Sequence, residues 1–360
     1  MSTPKQPWIY SKWVDGIFII TPPFFVLLFI VLLNYIKVDL ATVSPIAWII
    51  LVLGIDVSHV YSTLFRTYFD RTARAKYKSV FFMVPAGCLI VGVMLHSIDS
   101  MLFWRCLAYL AVFHFIRQQY GFMRLYSRLE KNPAWKIKLD TIAIYTTMVY
   151  PMVFWHFAGD RQFTWFVEGD FFLAERKEVI LNISLALYII VLIIFIASEL
   201  KSIIKNKVLN IPKIALVVGT ALSWYFGIVY YNGDLTFTAL NVIAHGVPYM
   251  ALVWMYGKKQ VDKTADTSNW QKLVFQPKSF ILYLIPLILL AYFEEGLWDA
   301  IIWRDHGQYF NPFYVIPNLT DNQWLSIVVP ILALPQMTHY VLDGFIWKVS
   351  RKDVKAEMGI

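Results

Sequence analysis

Charge is scarce in this chain. Asp, Glu, Lys and Arg make up 16% of its 360 residues, against 58% hydrophobic residues. A water-soluble domain of that size would expose too much apolar surface, so the soluble globular class is excluded. Cysteine is scarcer still: Cys88 and Cys106 both fall inside apolar stretches and form no CxxC pair. That excludes a disulfide framework and a thiolate metal site, and leaves the two as packing residues. There is no low-complexity tract, no evident repeat and no connection long enough for a soluble insert. The first apolar stretch is too long for a cleaved leader and no small-residue cleavage site follows it, so it is expected to remain as an anchor.

What the chain has instead is long apolar runs. A bilayer core about 30 Å thick takes about twenty apolar residues per helix. About ten such stretches occur, at 14–36, 44–66, 79–97, 101–122, 139–158, 178–199, 212–231, 236–257, 279–297 and 323–347. The net charge of +8 lies in short blocks between them, such as Arg66 to Lys78, Arg124 to Lys138, Lys201 to Lys213, Lys258 to Lys278, and the tail with Lys348, Arg351, Lys352 and Lys355. Every second connection is basic and the others are acidic or neutral, which marks a membrane topology and argues against a nucleic-acid partner. The expected fold is an all-α polytopic transmembrane bundle of about ten spans with both termini cytoplasmic. It forms one integral-membrane domain over 1–360, in a bacterial inner membrane. Segment 294–322, with Trp298, Trp303, Tyr309, Phe310 and Pro312, reads as an aromatic cap along the outer interface.

That topology sorts the seven histidines. His96, His156 and His306 fall at outer ends of stretches or in an outer segment, where water can solvate an imidazole. His59, His114, His245 and His339 fall inside even-numbered stretches, which all run from outside to inside. At 1.5 Å per residue they occupy a layer roughly 9 Å thick, so they can converge on one point. Burying an imidazole in lipid is costly, which favours a site over four separate helix-linking hydrogen bonds. Asp56 precedes His59 by three residues and Asp343 follows His339 by four, so each carboxylate shares a helix face with its histidine. Metal-bound imidazoles commonly give their other N–H to such a partner. Gln118 stands four residues after His114 and Tyr249 four after His245, with Pro248 freeing a backbone carbonyl one turn back. Asp56 also has a structural alternative, pairing with Arg66 or Arg117.

Four neutral imidazoles leave a divalent ion its full charge and, in an octahedral sphere, two open positions, which suits dioxygen at iron(II). Structural zinc would draw on thiolates. Copper stays open. Haem stays open too, although one layer of four histidines would leave two unexplained by a single bis-histidine haem. The membrane di-iron desaturases rely on HxxxH and HxxHH boxes, and none occurs here.

The segments Asp56-Val57-Ser58-His59, Phe113-His114-Phe115, Val242-Ile243-Ala244-His245 and Met337-Thr338-His339-Tyr340-Val341-Leu342-Asp343-Gly344-Phe345-Ile346-Trp347-Lys348 resemble, in the same order, the histidine segments of the Brp/Blh-type β-carotene dioxygenases. The resemblance covers roughly a sixth of the chain. It implies a non-haem iron held by intramembrane histidines and oxidative cleavage of a carotenoid. The chain departs from that family's pattern where Ser58 and Val60 replace a Pro-His-Gly turn, and where Tyr249 stands in place of a second histidine.

The expectation is therefore a membrane-embedded, iron-dependent oxygenase or oxidase. It would use dioxygen on a hydrophobic, lipid-soluble substrate arriving sideways from the bilayer, with carotenoid cleavage as one candidate. His59, His114, His245 and His339 would bind the metal, Asp56 and Asp343 would orient them, and Tyr249 and Gln118 would contact oxygen or substrate. A proton- or ion-coupled transporter would use the same buried His/Asp set as a relay, with discontinuous helices in two related halves. A b-type haem electron carrier is the third class.

Overall fold

The computed structural model describes residues 6–207, 209–263, 269–276 and 280–347. The tail with Lys348, Arg351, Lys352 and Lys355, and Lys278 in the last basic connection, lie outside the described residues. Among the described residues every regular element is a helix. Six are long and apolar enough to cross a membrane: Pro45–Arg66, Lys78–Ile98, Glu178–Lys205, Ile211–Tyr230, Asp234–Asp262 and Phe280–Trp303. Two bent pairs raise the number to eight. Lys12–Ile20 and Pro22–Tyr35 meet at 46°, and Asn322–Leu332 and Leu334–Ile346 meet at 44°. Prolines explain both bends, since Pro22, Pro23 and Pro335 lack an N–H and crowd the preceding turn.

The other two expected spans are helices as well, Ser100–Tyr126 and Ala134–Phe157, of 27 and 24 residues. Polar groups dilute them: His114, Gln118 and Gln119 on the first, Lys136 and Asp140 on the second. The chain is thus an all-α, multi-pass integral membrane protein, with six to eight helices among the described residues that qualify as spans by length and apolarity.

The chain divides into two compact units. The first comprises Met1–Ala47 and Val112–Pro248. In it, Ala134–Phe157 packs along Glu178–Asn206 and Ile211–Trp224, and Ile211–Trp224 packs on Pro22–Tyr35. Gly219 permits that last approach, because a Cβ there would stand 2.8 Å from Pro23 Cγ. Two lysines of the expected basic connections are ion-paired in the interior of this unit. Lys213 lies 3.0 Å from Glu130 and 2.8 Å from Glu199, and Lys136 reaches Glu199 and Asp140. Three carboxylates around two ammonium groups make burial of the cluster tolerable, which either charge alone would not.

The second unit comprises Trp48–Ala111 and Tyr249–Ile360. Lys78–Ile98 packs against both halves of the Asn322–Ile346 bent pair, and Ser58–Arg66 packs against Phe280–Trp298 and Leu334–Ile346. The core here is aromatic, with Phe65, Tyr249, Phe275, Tyr283 and Leu287 buried together. Within Pro45–Arg66 the stretch Ile49–Val57 is a π-helix ending just before Ser58 and His59. The wider turn re-aims the side chains that follow it, and such distortions recur at functional sites. Segment 294–322 folds around Asp299, whose carboxylate accepts from the Asp305 and His306 amides and from the Tyr314 hydroxyl. His306 stacks on Trp48 with ring centroids 4.1 Å apart.

The close passage at Gly219 yields a first prediction. Gly219→Val should lower thermal stability in detergent by about 1–3 kcal/mol through overpacking against Pro23. Gly87→Val, where a Cβ meets nothing within 4 Å, should leave it unchanged. A thermal melt followed by size-exclusion chromatography reads both.

Candidate metal centre

The second unit presents His59 and His339, both buried, with ring centroids 5.0 Å apart and planes at 79°. His339 Nδ1 is engaged by the Thr63 hydroxyl at 2.6 Å, which turns its Nε2 away from Thr63 as the atom available to a ligand. The same hydroxyl lies 2.9 Å from the Tyr249 hydroxyl, and Tyr249 donates to Asp343 Oδ1 at 2.6 Å. Trp347 Nε1 adds a longer contact to Tyr249 at 3.4 Å. Asp343 and His339 approach to 3.8 Å and Asp56 and His59 to 3.7 Å, close enough for electrostatic pairing but too far for a direct hydrogen bond. Arg66, one alternative partner for Asp56, lies across the Tyr256 ring and 3.8 Å from Asp70. Arg117, the other, donates to the Tyr145 hydroxyl.

The first unit presents His114 and His245, also buried, with ring centroids 5.0 Å apart and planes at 81°. Phe115 stacks flat on His245 at 3.6 Å and 10°, fixing its plane. Pro248 cannot donate to the carbonyl one turn back, that of Ala244. Gln119 Nε2 takes up that carbonyl at 3.3 Å, and Gln118 Nε2 donates to the next one, of His245 itself, also at 3.3 Å. Two adjacent glutamines on one helix therefore hold the turn of another that carries His245.

The four histidines come together. One ligand atom of each lies within 4.8 Å of that of every other. A metal–imidazole bond is about 2.0–2.1 Å, so opposite ligands on one ion stand about 4 Å apart. All four donors are nitrogen and neutral when ligating, a set suited to divalent iron, copper or zinc rather than to the oxygen-seeking magnesium and calcium.

The three remaining histidines are not simply solvated. His96 is buried, its Nδ1 3.3 Å from Ser326 Oγ. His156 and His306 are half-buried, the former with Nδ1 2.6 Å from the Met152 carbonyl. Cys88 is half-buried and Cys106 exposed, so Cys106 faces outward instead of packing.

Thr63, Gln119 and Phe115 gained no role from sequence, because a threonine, a second glutamine or a phenylalanine in an apolar helix carries no signature of chemistry. The connection 158–177 was equally silent. It folds inward because the buried Asp170 carboxylate accepts from the amides of Trp165, Phe166 and Val167, seating Trp165 edge-on to Phe115 at 5.1 Å. Burial pushes the Asp170 carboxyl above the usual range, while those amides pull it down.

No protein-family model matches this chain, and neither a curated protein nor a solved structure matches it.

Asp170→Ala should leave three amides unsatisfied and cost about 1–3 kcal/mol. Trp165 should then move toward water, read as a red shift in tryptophan emission relative to Asp160→Ala, an exposed control.

Proposed function

We propose that His59, His114, His245 and His339 hold one non-haem iron(II) ion, and that the protein is a membrane oxygenase or oxidase acting with dioxygen on a lipid-soluble substrate. The observation that carries this reading is the mutual approach of the four buried imidazoles. Zinc would lack the thiolates usual in structural sites, and a single haem would use two of the four histidines. Two charges on an ion inside a membrane need compensation, and Asp56 and Asp343 stand beside His59 and His339 to give it.

Iron with open positions supplies dioxygen chemistry when bound. The residues around it orient and exclude. Thr63 fixes His339, Gln118 and Gln119 fix the turn of His245, and Phe115 fixes the plane of its ring. Tyr249 donates its hydroxyl proton to Asp343 Oδ1 and would contact the oxygen or the substrate there. Gln118 serves the same centre from the other helix. The substrate is read as hydrophobic because a cavity of about 290 Å³ reaches Thr63, Thr338 and His339 past apolar walls such as Leu64, Pro85 and Ile331. Ile331 is itself exposed, on a helix that would face acyl chains. The likeness to the carotenoid-cleaving family is one source for the substrate, a polyene being flat and apolar. Ten spans, a single membrane domain, cytoplasmic termini, an outer position for 294–322 and a bacterial inner membrane complete this reading.

Metal analysis of protein purified without chelating tags should return about one iron per chain. His59→Ala, His114→Ala, His245→Ala and His339→Ala should each lose most of it, whereas His156→Ala and His306→Ala should retain it. Full metal in His114→Ala, or a Soret band in the purified protein, would contradict the proposal. Thr63→Val, which frees the His339 ring, should weaken metal retention about 10–100-fold while leaving the fold intact. Equilibrium dialysis against a chelator reads that change.

A further inference from the structure

Three polar side chains that line a small closed space in the first unit, Thr220, Ser223 and Asn241, have no part in the metal reading. The space is about 10 Å³ and is bounded by Gln119, Thr220, Ser223, Asn241 and, at its edge, Phe115 and His245. Roughly 10–15 Å³ of such volume is what one water molecule needs, together with two to four polar partners.

The partners are present and two are unsatisfied. Ser223 and Asn241 are at least nine-tenths buried, and neither Ser223 Oγ nor Asn241 Oδ1 has a hydrogen-bond partner within the protein. Ser223 stands out against the other buried serine and threonine hydroxyls described in this unit. Ser127 returns its hydroxyl to the Met123 carbonyl, Thr147 to Ile144 and Thr236 to Gly233. That local bond is the usual resting place for a helical hydroxyl. Ser223 forgoes it and lies beside the cavity. Asn241 spends its amide nitrogen on the Phe237 carbonyl at 2.8 Å, which leaves its oxygen as the unused group. A bare polar atom buried in an apolar setting is costly, a cost that one bridging molecule removes at both atoms.

We infer that this cavity is a binding site for one water molecule. The water accepts from Ser223 Oγ–H and donates to Asn241 Oδ1, leaving its second proton for Thr220 Oγ1. Nothing charged fits, since no ionised side chain lines the space, and an apolar occupant would leave both atoms bare. The consequence reaches His245. Thr220 Oγ1 shares its proton between Gln119 Oε1 at 3.1 Å and the Leu216 carbonyl at 2.9 Å, and Gln119 holds the Ala244 carbonyl. Water, Thr220 and Gln119 therefore form one hydrogen-bonded support under the turn that carries His245. Ser223 and Asn241 act as positioning residues through that water. The site stands or falls without the metal, because every group in it belongs to the protein interior.

X-ray radiolytic labelling in H₂¹⁸O, read by mass spectrometry on the protein in detergent micelles, tests it. Hydroxyl radicals formed at a bound water label the side chains beside it even where bulk solvent cannot reach. Trp224 and Phe115, which line the cavity, should label well above Phe195, equally buried but outside it. Ser223→Val fills the space and should bring both down to the level of Phe195, while Ser223→Thr keeps the hydroxyl and the labelling. Equal labelling of Trp224, Phe115 and Phe195 in the unaltered protein would overturn the inference, and so would unchanged labelling in Ser223→Val. If Ser223→Val does not fold, the comparison of the three aromatics in the unaltered protein and in Ser223→Thr still decides.

Discussion

The cost of placing an imidazole in a medium that cannot solvate it is the constraint on which the rest of this structure depends. Each of the four buried histidines sits in a helix, and its ring is the expensive element. Around three of the rings the chain supplies a neighbour that bears on their direction. Thr63 does so for His339, Asp56 stands behind His59, and Phe115 covers His245. Such care over orientation is wasteful for a packing residue and necessary for a ligand.

Helix irregularity serves the same end. The π-stretch Ile49–Val57 precedes His59, Pro248 follows His245 by three residues, and the bend at Leu332 to Leu334 precedes His339. In each case a regular helix would place the ring differently, and in each the freed backbone group is a liability in lipid. The liability created by Pro248 is met by Gln119, an uncommon side chain to leave inside a membrane without purpose.

Much of this was legible in the sequence because its signals are periodic or chemically loud. Apolar runs of about twenty residues gave helices at all ten stretches, and the depth of the four histidines within them placed the rings together. Asp343 was readable from its four-residue spacing to His339, but its closest contact is the Tyr249 hydroxyl, on a helix remote in sequence. Lys136 and Lys213 looked like loop charges marking a membrane face, and their ion pairs with Glu130, Asp140 and Glu199 depend on tertiary packing that no local pattern encodes. Apolarity also understates Ser100–Tyr126 and Ala134–Phe157, whose polar residues are internal partners that lower the mean hydropathy of otherwise long helices.

The central claim is that four imidazoles surround one ion. X-ray absorption spectroscopy at the iron edge of the purified protein addresses that coordination sphere directly. The account predicts a first shell of nitrogen or oxygen near about 2.0–2.2 Å, with the outer-shell scattering of about four imidazole rings. A sulfur shell near about 2.3 Å, the multiple-scattering pattern of a porphyrin, or the signature of one or two imidazoles alone would contradict it.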